Sequence, residues 1–182
     1  MESFELSNIE LSPEMLLSGR DHALEQLKWA RQYTLQLVES VPEDRWYEMP
    51  AGVPSNLAWQ VGHLAVSEYG LLLFRQRGRS PGDLEILPGW LRKQYGRSTM
   101  PKEKSEKSPS PAELLERLER IHQQAIAEVP TLTAETLAES IDMPYAAYPI
   151  KLGALMFCPI HETLHAGQIG VIRRALGYDP IR

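Results

Sequence analysis

The stretch Gly153-Ala-Leu-Met-Phe-Cys-Pro-Ile-His161-Glu-Thr-Leu-His165-Ala-Gly-Gln168-Ile-Gly-Val-Ile-Arg-Arg-Ala-Leu176, closed by Gly177, decides the reading of the fold. Its apolar residues recur at helical spacing, so it is expected to form one long helix. At 3.6 residues per turn, Phe157, His161, Leu164, His165, Gln168, Ile172 and Ala175 share one face. Arg173, Arg174, Thr163 and Ala166 fall on the other side or its margins. Pro159 lies inside the helix, where it cannot donate to the Leu155 carbonyl, and a kink is expected there. Two imidazoles one turn apart on a face expected to pack in a core call for a metal ion, because i, i+4 spacing lets both rings converge on one point.

Working outward, three more long helices are expected. Ser12-Pro13 is a hydroxyl N-cap followed by proline, opening a helix to about Glu39. Its inward stripe is Leu16, Leu17, Ala23, Leu24, Leu27, Ala30, Leu37, Val38 and Val41, with His22 away from it. Ser55 is expected to cap a second helix from Asn56 to about Arg77, with Trp59, His63, Val66, Gly70 and Phe74 on a core face. A second apolar stripe, Leu57, Val61, Leu64 and Leu71, makes that helix apolar on two sides, which suggests a partner chain and a homodimer. Ser110-Pro-Ala-Glu113 is a capping box opening the third helix, with Leu114, Leu115, Leu118, Ile121, Ala125 and Val129 inward. His122 falls inside that arc and reads as a core histidine with a satisfied hydrogen bond. Thr133 caps a short turn through Ala138, and Asp142 to Pro149 reads as a loop. No alternating pattern of a sheet is present. The expected fold is all-α, a four-helix bundle formed by residues 1–182 as one domain.

Between the second and third helices, residues 78–110 form a long crossover rich in Gly, Pro, Ser and Lys, partly flexible over Met100 to Ser110. It contains an apolar island, Leu84-Glu-Ile-Leu-Pro-Gly-Trp-Leu91 and then Tyr95, that could cover a site. The segment from Arg75 to Pro111 holds nine Lys/Arg against four Asp/Glu and is net +5. With −5 for the whole chain, the remainder is −10. A basic connection on an acidic body could attract an anionic small substrate, but a solvated loop with arbitrary charge is the preferred reading.

Composition excludes several classes. Hydrophobic residues at 43% and charged residues at 24% are ordinary globular values. No apolar run reaches membrane-span length, and Met1-Glu-Ser-Phe-Glu5 lacks a basic region followed by an apolar one, so no secretory leader is expected. Cys158 is the sole cysteine, which rules out an internal disulfide. A soluble, cytoplasmic protein that binds neither membrane nor nucleic acid is expected, since the latter needs a basic surface.

His63, central in the second helix among few polar neighbours, is the best candidate for a third ligand beside His161 and His165. Three imidazoles leave positions open on a divalent ion, the arrangement of catalytic sites. His161-Glu-Thr-Leu-His165 also matches the H-E-x-x-H zinc protease motif. Its third ligand is missing: Val171 occupies the position six residues after His165, and no sheet edge exists for a peptide substrate. The protease reading fails.

Trp59-x-x-x-His63-Leu64 in the second helix and His161-x-x-x-His165-x-Gly-Gln168 in the last resemble the DinB-like superfamily of metal-binding four-helix bundles, across nearly the whole chain. The resemblance implies a divalent metal held by His63, His161 and His165, often in a dimer. Relatives include S-transferases and isomerases that use low-molecular-weight thiols, and a related domain carries the iron site of sulfoxide synthases. Zinc or nickel is expected, with iron next, although three imidazoles suit copper as well.

The function expected is a metal-dependent enzyme, a thiol S-transferase or hydrolase-like, that activates a low-molecular-weight thiol or water for transfer to a small electrophile. The alternative is a non-catalytic, stress-related module in which an enclosed metal staples two helices. No residue is marked as a catalytic acid or base. Gln168 could orient a ligand from behind or simply bridge helices. Glu162 reads as an exposed helix glutamate, and Cys158 as a small buried hydrophobe.

Overall fold

The computed structural model describes residues 11–142 and 148–181. Much of the expected loop 142–149 therefore lies outside the described residues, as does the N-terminal lead. Seven α-helices are described: α1 Pro13–Glu39, α2 Leu57–Glu68, α3 Asp83–Ile86, α4 Gly89–Tyr95, α5 Pro111–Glu128, α6 Ala134–Ala138 and α7 Lys151–Ala175. Past Glu68 the α2 backbone runs on through a π-helical turn, Tyr69–Phe74, and a last turn, Arg75–Arg77. Among the described residues there is no strand, only an isolated bridge between Ser140 and Ile150. The chain is all-α.

Local chemistry starts most helices where expected, but the cap of α2 differs and α7 begins at Lys151, two residues before the expected Gly153. Ser12 Oγ accepts from Met15 N, Ser110 Oγ from Glu113 N and Thr133 Oγ1 from Thr136 N. Each cap satisfies an amide that the first helical turn leaves without a partner. For α2 the cap is Asn56, whose Oδ1 accepts from Trp59 N. Ser55, the expected cap, accepts instead from the side chain of Gln60.

Side-chain contacts give the helix directions. Along α1 and α7, Gly19 lies against Leu152, Arg31 meets Glu162, and Arg173 donates to Leu37 O, so the two run parallel. Gln60 meets Gln168 while Gln76 donates to Lys151 O, so α2 is antiparallel to α7. Glu68 meets His122 and Arg77 meets Glu128, so α5 runs with α2. Parallel neighbours joined in sequence need a connection that travels back the length of the helix, here about 27 Å for the eighteen residues of α5. The 78–110 crossover makes that journey, carrying α3 and α4. It is tethered on its return by Trp59 Nε1 to Thr99, Asn56 Nδ2 to Lys102 O, and Tyr47 to Pro109 O.

One cluster joins the four long helices. Arg31 of α1 donates to Glu68 of α2 and to both carboxylate oxygens of Glu162 of α7, and Glu68 also pairs with His122 of α5. All four side chains are buried. His122 is thus the satisfied core histidine expected, whereas Glu162, expected to be exposed, is only 1% exposed.

Several faces differ from expectation for one reason. On α7 the buried residues include Leu155, Cys158, Glu162, Ala166, Ile169, Ile172 and Arg173, while Leu164, Gln168 and Ala175 are exposed. On α2 the buried stripe is Leu57, Val61, Leu64, Glu68 and Leu72, while Phe74 is exposed. Glu162 and Arg173 belong to the packed face because each is matched by a polar partner inside, which a pattern of apolar residues does not register. The faces that carry the histidines border a cleft and not the core. Since α2 is covered on both apolar sides by α5 and α7 of its own chain, those stripes do not require a partner chain.

Candidate metal centre

His63 of α2 and His161 and His165 of α7 converge. One ring nitrogen of each lies within 4.8 Å of the others, and the ring centroids are 4.4 to 5.4 Å apart. Successive turns of α7 supply two rings, and the antiparallel α2 brings the third across from them. The three imidazoles expected from the sequence are therefore together, and this donor set could hold one ion. His22 is exposed on α1, bonded to Ser18, and His122 faces Glu68; neither belongs to the group.

Neighbouring groups orient two of the rings. His63 Nδ1–H donates to Tyr95 O at 2.8 Å, which leaves the unprotonated Nε2 to accept from Ser67 Oγ at 3.3 Å or to ligate an ion. His165 Nδ1–H donates to Gln60 Oε1. Gln60 in turn donates through Nε2 to Ser55 Oγ and to Gln168 Oε1, so its amide has one consistent orientation. A ring whose Nδ1–H is engaged presents Nε2 with its lone pair outward, as a metal requires. The Trp59 indole stacks on His63, 4.6 Å between centroids and 7° from parallel, and is itself held by Thr99. Phe157 flanks His161 at 5.7 Å.

Gly62 permits this approach. A Cβ there would lie 2.5 Å from ring atoms of Tyr95, so only a residue without a side chain lets α4 come close enough for Tyr95 O to reach His63.

All three histidines are held neutral. Burial lowers the pKa of His165 to about 3 and of His161 to about 4, aided by the adjacent imidazoles. Burial also lowers His63, partly offset by its bond to Tyr95. Metals bind the unprotonated ring, so these environments favour coordination over protonation near neutral pH. The Cys158 thiol is buried and pushed well above its ordinary pKa, first by burial and then by Glu68 and Glu162, which suits a packing residue.

The site is open on one side. A cavity of about 750 Å³ reaches His63 and His161 and extends along the π-helical turn, past Tyr69, Gly70 and Phe74, to the residues of α3 and the start of α4. π-helical turns recur at functional sites because the extra residue re-aims side chains.

The sequence profile of the DinB superfamily matches residues 26–169, a span that contains all three histidines. The chain belongs to the DinB superfamily. A comparison with curated proteins found no match. Membership in this metal-binding family agrees with a cluster that could hold a divalent ion, and it identifies no metal.

Within this DinB-superfamily chain, three contributors escaped the sequence reading. Gln60 sits one turn before Leu64 and one residue from Trp59, but an amide on a helix carries no pattern of its own. Tyr95 acts through its backbone carbonyl, which no side chain announces. Arg31 offered the clearest signal: with Thr34 it occupies the stripe positions between Leu27 and Val38, where a buried charge demands a partner. Gln168, exposed at the rim, reaches the histidines only through Gln60.

Proposed function

We propose that this chain is a metal-dependent enzyme in which His63, His161 and His165 hold a divalent ion, zinc or nickel before iron, and a low-molecular-weight thiol or water is activated for transfer to a small electrophile. The observation that carries the reading is three neutral imidazoles, two with fixed tautomers, at the end of a cavity of about 750 Å³. A divalent ion bound there would lower the pKa of a coordinated thiol or water and polarise an acceptor.

The chain's own residues would do the rest. Gln60 and Tyr95 O keep two imidazoles aimed, Trp59 and Phe157 exclude water from their flanks, and the cavity receives the electrophile. For a thiol, sulfur forms a bond to the electrophilic carbon, the leaving group departs with the electrons of the broken bond, and the thiol proton passes to solvent. An ion acting only as a staple would be enclosed, and the cavity at His63 and His161 favours turnover over that alternative.

Elemental analysis of protein purified without a histidine tag tests the centre. Wild type should carry about one metal per chain and His63→Ala far less; full stoichiometry in the variant would overturn the triad. Assays of the metal-loaded protein with a panel of thiols and a chromogenic haloarene then test the reaction, with metal-stripped protein and His161→Ala expected to be inactive. The location that goes with this reading is the cytoplasm, and no helix among the described residues is long and apolar enough to cross a membrane.

A further inference from the structure

The cavity beside the histidines has a pronounced charge. Four arginines line it, Arg75, Arg79, Arg92 and Arg97, against one acid, Asp83. Asp83 is already engaged by Arg77, which donates to both of its oxygens at 2.8 and 2.9 Å, and by Tyr69. Within the described residues, the Arg79 and Arg92 side chains make no hydrogen bond or ion pair. Both line the cavity, Arg79 just after the last turn of α2 and Arg92 from α4. The same cavity has apolar walls, with Phe74 44% and Leu84 73% exposed. The metal centre needs no such charge, because its three ligands are neutral and the ion itself would be positive. Cations placed at the walls therefore point to a ligand of the opposite sign.

The geometry points to a substrate that is a small anion with an apolar body, its carboxylate or phosphate received by Arg79 and Arg92 while its other end extends towards His63 and His161. This rests on the catalytic reading above for the direction in which the substrate lies, but not for its charge. Guanidinium groups suit both heads, since each presents paired donors to two anionic oxygens. The apolar body would lie on Phe74 and Leu84 and cover surface that a soluble chain otherwise leaves to water.

Displacement of 8-anilinonaphthalene-1-sulfonate provides the test, on the full chain as purified and again after treatment with EDTA. The competitors are octanoate, octyl phosphate and octanol, which share one tail and differ in the head. At least one anion should displace the probe at a concentration tenfold or more below that needed with octanol, and the better anion names the head. In an Arg79→Gln/Arg92→Gln variant the gap should shrink to threefold or less, whereas Arg120→Gln, on the exposed face of α5, should keep it. Raising the salt concentration should narrow the gap in wild type. Octanol matching both anions in wild type, or an undiminished gap in the double variant, would overturn the inference. Because the preference is read without metal, failure of the metal centre would leave this result standing, and the reverse holds as well.

Discussion

The guanidinium of Arg31 in α1 holds both carboxylate oxygens of Glu162 in α7, at 2.6 and 2.8 Å, and Glu162 is the neighbour of His161 in the chain. The same guanidinium donates to Glu68 of α2. Burial acts against the Arg31 charge, but Glu68 and Glu162 outweigh it and raise the pKa above its ordinary value. One cation thus fixes α7 relative to α1 and α2 at the level where the histidines must meet.

Removing that cation should be worse than removing one of its partners. Arg31→Met leaves two buried carboxylates with only His122 between them and should cost about 3–5 kcal/mol in urea unfolding. Glu162→Leu leaves Arg31 paired with Glu68 and should cost less. Equal losses would mean that the cluster does not act as a unit.

Gln60→Leu removes the acceptor that fixes the His165 ring without opening a large space. Metal affinity should fall by about 10–100-fold, the usual effect of losing a group that orients a ligand. Competition with a chelator measures it, and circular dichroism should show the helices unchanged. Unaltered affinity would limit Gln60 to bridging α2 and α7.

Gly62→Ala places a methyl group against the Tyr95 ring, which is itself 4% exposed. Overpacking should cost about 1–3 kcal/mol, and the displaced α4 should weaken the His63–Tyr95 bond. A loss of stability together with reduced metal affinity is expected. Stability reduced with affinity intact would show that the Tyr95 carbonyl does not orient His63.

Asp83 gives the protein a pH dependence on the acid side. Two bonds from Arg77, opposed by burial and aided by Ser80 N and Tyr69, lower its pKa from 3.8 to about 2. Between these values the unfolded chain binds the proton and the folded one does not, so stability is present above about 4 and is lost as pH falls towards 2. Asp83→Asn should flatten that part of the stability curve and lower the plateau at neutral pH. An unchanged acid limb would mean that the Arg77 pair persists when the chain unfolds.

Helix starts at Ser12, Ser110 and Thr133 were legible because a cap acts within one turn of chain. The three histidines were legible because i, i+4 spacing and an imidazole among apolar neighbours are both local signals. Glu162 was misread: its partner lies 131 residues away, and a glutamate looks the same whether it faces water or Arg31. The faces of α2 and α7 were displaced for a related reason, since apolar periodicity cannot distinguish a core wall from a cleft wall.

The amino-acid sequence by itself determined that the chain is helical, where most of its long helices begin, and which three imidazoles could share an ion. Periodicity, capping and residue type express those features within a few turns. Tertiary structure alone decided that α2 and α5 run parallel, that Arg31 ties four helices together, that Gln60 and the Tyr95 carbonyl orient the rings, and that arginines from the crossover face the site. Each of these depends on contacts between residues far apart in the chain, whose energy exists only once the helices have packed.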